Sequence, residues 1–147
     1  MSPNYDVVIL GCGEAGIFAA YELARLHPNL KITALDQGRD IYHRSCPIVA
    51  GKVKECIHCP VCDTMCGFGG AGAFSDGKLN TGTKDLRHRF ILEELVRCGA
   101  PKEILYDAKP HVGTDYLHIA LKNLRRELLD LGADIRFESQ LTDLDIR

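Results

Sequence analysis

The 147-residue chain carries little net charge, no long apolar run and no internal repeat. A formal charge of −2 offers no basic surface to a phosphate backbone, which argues against non-specific nucleic-acid binding. No apolar segment approaches the roughly 18–20 residues that a membrane-crossing helix needs. No secretory leader is expected: Asp6 comes almost at once, and the apolar run behind it is too short. These absences predict a cytoplasmic protein with no membrane span and no nucleic-acid partner. The length predicts a single domain with its own core. No low-complexity tract or interdomain linker divides it.

What is present starts at the N-terminus. Tyr5–Leu10 is a short apolar run, followed by Gly11-Cys12-Gly13-Glu14-Ala15-Gly16 and a helical pattern over Glu14–Leu26. Ala19, Ala20, Leu23, Ala24 and Leu26 form its expected apolar side. A second apolar run, Lys31–Leu35, closes on Asp36. Strand, glycine turn, helix, strand and acid stand in the order a dinucleotide site requires. Gly11 permits the tight turn, Gly13 lets backbone N–H groups approach a pyrophosphate, and Gly16 lets helix and strand pack closely. Glu14 and Ala15 open the helix, where unpaired N–H groups and the helix dipole favour anions. Asp36, twenty positions after Gly16, is placed to accept from an adenosine ribose. The motif alone does not choose between FAD and NAD(P).

The expected fold is α/β, a Rossmann-like domain with a parallel sheet, here in its N-terminal portion. A long Cys/Gly-rich region follows the second strand, from Gln37 to about Thr83. So long an irregular stretch is acceptable only if something organises it, such as a cofactor or a metal. Helical periodicity returns over Asp85–Cys98, with Leu86, Phe90, Leu92, Leu95 and Val96 as the core stripe, and Gly99 as the stop. A helical turn is expected at Lys102–Tyr106. Thr114 is the expected N-cap of a helix that carries Leu117, Ala120, Leu121, Leu124, Leu128 and Leu131 inward and ends at Gly132. Asp134–Glu138 reads as a strand, and Leu141–Ile146 as a second. A sheet of this type needs more strands than these, so the chain is expected to be the front of a longer protein.

Seven cysteines without a leader point away from a disulfide scaffold and toward metal, cluster or redox chemistry. Cys12 and Cys98 stand alone and read as packing residues. The other five lie between Cys46 and Cys66. Cys56, Cys59, Cys62 and Cys66 form a C-x2-C-x2-C-x3-C run, whose first three members have the spacing by which one loop wraps a [4Fe–4S] cluster. Ferredoxin-type clusters also take a remote cysteine that precedes proline, as Cys46-Pro47 does. The preferred ligand set is Cys46, Cys56, Cys59 and Cys62, with Cys66 as the alternative to Cys46. Structural zinc, with four thiolates or three and His58, and unligated thiols remain open.

Directly after Cys66 comes Gly67-Phe-Gly69-Gly70-Ala71-Gly72-Ala-Phe-Ser75-Asp76-Gly-Lys78-Leu79. Bare backbone N–H groups here suit an anion or a flat ring edge. Lys78 can bring positive charge to a pyrophosphate or to a flavin N1–C2 carbonyl. Asp6–Asp36, Gly67–Leu79 and Lys109–Asp115 together resemble a family of bacterial FAD-dependent dehydrogenases, similar to the wider glutathione-reductase-like FAD/NAD(P)-binding superfamily. The resemblance covers nearly the whole chain but only the front third or so of a typical member. Many members lack the cysteine run, and this chain resembles a cysteine-bearing subset.

The resemblance implies FAD, with Gly11, Gly13, Gly16 and Asp36 matching its ADP-binding motif. It also implies that Gly69, Gly70, Ala71, Gly72, Ser75, Asp76 and Lys78 belong to a second glycine loop near the cofactor. The segment Pro110-His111-Val-Gly113-Thr114-Asp115 matches a further family segment before a helix. Residues 1–147 would form one incomplete FAD/NAD(P)-binding domain, with 37–83 as its cofactor loop region. The expected function is oxidoreduction through bound FAD, with NAD(P) as a potential donor or acceptor and an iron–sulfur cluster as a relay. Partners would be a small-molecule substrate or an electron-transfer protein. Lys78 and His111 are the only catalytic candidates. A non-catalytic nucleotide-binding fragment and a zinc-binding interaction module are the competing classes.

Overall fold

A computed structural model describes residues 4–75, 77–79, 85–107 and 109–146. Three parallel strands, β1 (Val7–Leu10), β2 (Ile32–Leu35) and β3 (Asp134–Arg136), form one sheet in the order β1-β2-β3. Val7 stands opposite Ile32, and Thr33 opposite Asp134. Leu10, Leu35 and Arg136 therefore lie in one row at the carboxyl edge. Two backbone bonds carry the ladder beyond the strands: Gly11 N donates to Leu35 O at 2.8 Å and Asp36 N to Arg136 O at 2.9 Å. The architecture is α/β with a small parallel sheet.

Helix α1 (Glu14–Leu26) connects β1 to β2 and packs on both. Its buried residues are Ile17, Ala20, Tyr21 and Ala24. They follow the i, i+3, i+4, i+7 spacing of one helical face. That face is rotated from the expected one: Ala19 is exposed and Leu26 is 56% exposed. The large Ile17 and Tyr21 define the stripe and turn the alanines around them. Helix α3 (Thr114–Asp130) buries Leu117, Ala120, Leu121, Leu124 and Leu128, the amphipathic face its spacing predicts. Leu131 lies past the last turn and is part exposed. Helix α2 (Leu86–Arg97) rests Leu92 and Leu95 against α3. Asp85 caps α2 by accepting from Arg87 N at 2.8 Å. A 3-10 turn follows at Lys102–Leu105, as expected.

Three expectations are corrected. Leu86 is 89% exposed, because it occupies the first turn of α2, before the helix reaches its neighbour. The cap of α3 is Gly113, whose φ of +79° suits glycine, while Thr114 Oγ1 donates to Ser75 O at 2.8 Å. Residues 141–146 form no strand. Beyond β3, Glu138 takes φ +51° and sends the chain across the end of β2. There Glu138 N donates to Gly38 O and Ser139 N to Asp36 O, both at 2.9 Å.

Gly16 explains the close fit of α1 on β1. A Cβ there would stand 1.9 Å from Gly11 O. At Gly13 a Cβ would meet nothing within 4 Å, and φ is an ordinary −72°. Gly16→Ala should therefore cost about 3 kcal/mol or more of stability, whereas Gly13→Ala should leave it nearly unchanged. Denaturant midpoints of the two variants measure the difference.

Candidate functional site

The carboxyl edge of the sheet gathers the first glycine motif, Asp36 and part of the second glycine loop. Gly11, with φ +93°, turns the chain out of β1, and Gly13 caps α1. No side chain caps that helix, so its first N–H groups at Glu14 and Ala15 are not covered by a neighbouring oxygen of that kind. In front of the turn lies a cavity of about 340 Å³. Gly11, Gly13, Asp36, Gly70 and Cys66 line it, with Ser139, Gln140 and Leu141 on the far side. This is the crevice at the carboxyl ends of parallel strands where α/β proteins bind ligands.

Asp36 has a second role there. It is 8% exposed, and its carboxylate accepts three backbone bonds, each 2.7 Å long. Oδ2 accepts from Cys12 N, and Oδ1 from Gly38 N and Gly67 N. A carboxylate offers about four lone-pair sites. By that count one acceptor position on Oδ2 is not used by these bonds.

The second glycine loop docks directly on the first. Gly69 N donates to Cys12 O at 2.8 Å. A Cβ at Gly70, where φ is +55°, would stand 3.0 Å from Gly13 Cα. Gly72 leaves room for the Glu14 carboxyl, 2.6 Å from where its Cβ would be. Ala71–Phe74 forms a 3-10 turn, and Ala71 is exposed. The Ser75 hydroxyl donates to Gly72 O at 2.8 Å and accepts from Gly77 N, so it closes its own loop. Asp76 lies outside the described residues.

Arg44 holds this loop from behind. It is 9% exposed, and donates to Asp63 O at 2.9 Å and Phe68 O at 2.8 Å. Its guanidinium lies 4.8 Å from the Phe74 ring centroid. Burial pushes this guanidinium down from its ordinary range, and the Asp63 and Asp36 carboxylates push it back up. From sequence alone, Arg39 and Arg44, which follow Asp36, suit either a contact with adenosine or phosphate or a solvated surface. Arg39 is the exposed one, pairing with Asp63 at 3.5 Å.

Lys78 and His111 meet in an isolated antiparallel bridge, flanked by Leu79 N to Pro110 O and Val112 N to Gly77 O, each 2.9 Å. Paired residues of such a ladder project to one side. Both are exposed, and neither lines the cavity at the glycine turn.

The cysteines divide into three environments. Cys46, Cys56, Cys59 and Cys62 line a second cavity of about 230 Å³. Cys66 lines the first cavity instead, accepting from Gln37 Nε2 at 3.1 Å. Cys12 and Cys98 are buried in the core. Among the described residues no three His, Cys, Asp or Glu side chains come together as a site for a single metal ion. Burial, with Asp36 and Asp40 nearby, pushes the Cys12 thiol up to about 12. Burial, chiefly, and Glu127 push Cys98 up to about 11. Hydrogen bonds from the Thr64 hydroxyl and backbone lower the Cys62 thiol.

No family model matches the chain. An uncharacterized protein of Clostridium beijerinckii is 45% identical over 134 residues, which cover 91% of this chain and 25% of the relative. The chain spans about a quarter of that relative's length. Among the described residues, no helix is long and apolar enough to cross a membrane.

Two outcomes follow from this geometry. Asp36→Ala leaves three buried N–H donors without their acceptor and should cost on the order of 3 kcal/mol or more in a denaturant titration. In chelator-treated native protein, a thiol reagent at pH 8 should modify the five cysteines between Cys46 and Cys66 and spare Cys12 and Cys98 until unfolding. The same two thiols favour the folded state fully below their ordinary value of 9.0. That contribution is lost as pH climbs toward 11 and 12.

Proposed function

We propose that this chain is the nucleotide-binding front of a longer FAD-dependent oxidoreductase with a Rossmann-like core. One observation carries the proposal. Gly13 is glycine although neither its φ of −72° nor its packing requires it, and its missing side chain leaves open space at the cavity before α1. Gly11 and Gly16, by contrast, are accounted for by backbone turn and packing. The remaining constraint at Gly13 is room for something outside the fold, and the N-terminus of α1 suits a pyrophosphate.

The residues fit the group. The first-turn N–H groups of Glu14 and Ala15 would face the pyrophosphate, and the free acceptor position of Asp36 Oδ2 would take one ribose hydroxyl. Gly70, pressed on Gly13, forms the opposite wall and keeps the approach narrow. Ser139 and Gln140 bring polar side chains to the far side of the cavity. Bound FAD would supply hydride or two-electron chemistry, while the protein supplies orientation and electrostatics. Lys78 and His111, joined in one bridge, are the side chains to test for a proton or charge role toward a substrate. The choice of FAD over NAD(P) rests on the family resemblance of the two glycine loops. Seven free cysteines suit a reducing, cytoplasmic setting.

Gly13→Val tests the proposal. The branched side chain fills the cavity mouth without straining the fold. FAD titrated into full-length protein should bind about 100-fold more weakly, equivalent to roughly 3 kcal/mol of steric conflict, with the denaturant midpoint unchanged. Equal FAD affinity in the variant would place the flavin elsewhere.

A further inference from the structure

We propose that the cavity lined by Cys46, Cys56, Cys59 and Cys62 is a [4Fe–4S] cluster site, and that Cys66 is not one of its ligands. The site is independent of the flavin, since it lies outside the glycine-turn cavity and shares no lining residue with it.

Three observations support it. Cys46, separated from the run by nine residues, comes to the same cavity as Cys56, Cys59 and Cys62, while the nearer Cys66 faces away into the other one. Pro47, Ile48, Val53 and Ile57 give that cavity an apolar lining, although Ile48 and Ile57 are partly open to solvent. The four cysteines line a space of about 230 Å³. A cube presents one iron to each thiolate, so its ligands stand around a core, whereas zinc draws four ligands onto one centre.

The loop also supplies hydrogen bonds to sulfur, which tune such clusters. His58 N donates to Cys56 Sγ at 3.4 Å, and Thr64 Oγ1 lies 3.0 Å from Cys62 Sγ. His58 holds φ +50°, a costly conformation for a non-glycine residue, and this turns the chain sharply between Cys56 and Cys59. Asp63, the one carboxylate on the cavity wall, is already engaged by Ser45 N at 3.1 Å and Arg39.

Full-length protein, purified anaerobically and reconstituted with ferrous iron and sulfide, provides the test. The expected content is about four irons and four acid-labile sulfides per chain, with a broad visible shoulder that bleaches on reduction. Cys46→Ser, Cys56→Ser, Cys59→Ser and Cys62→Ser should each lose most of that iron and sulfide. Cys66→Ser should keep both. Circular dichroism of each variant shows that it has folded. Iron-free protein with stoichiometric zinc, or no metal uptake by folded wild type, overturns the proposal. Loss of the cluster in Cys66→Ser with retention in Cys46→Ser overturns the ligand set.

Discussion

The Asp36 carboxylate is the contact on which the rest of the site depends. Its three bonds join the first glycine turn, the chain leaving β2 and the second glycine loop, at Cys12, Gly38 and Gly67. Single backbone bonds also tie them in pairs, Gly11 N to Leu35 O, Phe68 N to Arg39 O and Gly69 N to Cys12 O, and the Asp36 side chain reaches all three. Bonds to a charged acceptor are worth more than neutral ones, and an unpaired buried charge would be prohibitive. The nearby Arg44 guanidinium offsets the charge. The closeness is extreme: a Cβ at Gly38 would meet Gly67 N at 2.3 Å, and one at Gly67 would meet Arg39 O at 2.3 Å. Asp36 thus lines the cavity and braces the segments around it.

Much of this was legible locally. The run from Asp6 to Asp36 could be read because strand period, glycine turn and helix period follow each other without a break. Helix α3 was legible for the same reason, with five buried positions at helical spacing. What escaped depends on contacts distant in sequence. Ser139 and Gln140 reach the cavity only because Glu138 turns the chain over β2. Arg44 is buried only because Phe68 and Asp63 come to it. Leu86 and Leu26 have the composition of core residues but stand exposed at helix ends. A strand over 141–146 required a partner strand, and apolar residues alone do not provide one.

The cysteine region shows the same division. Spacing suggested a metal- or cluster-binding loop, with zinc and unligated thiols left open, and offered Cys46 and Cys66 as alternative fourth ligands. Folding separates them, because Cys66 is followed immediately by Gly67, which Asp36 holds against the glycine turn. One loop therefore serves two cavities. Its cysteine half wraps the second, and its glycine half completes the first. Such a loop has a physical reason to be long and irregular, since backbone N–H groups and thiols are both presented most freely outside regular structure.

The central claim is that the cavity at the glycine turn holds the ADP half of FAD. The most direct test is the visible absorption spectrum of full-length protein purified without added cofactor, with the released chromophore identified after denaturation. The account predicts the bands of oxidised flavin and stoichiometric release of FAD. Colourless, folded protein that takes up no flavin on incubation with FAD would contradict it.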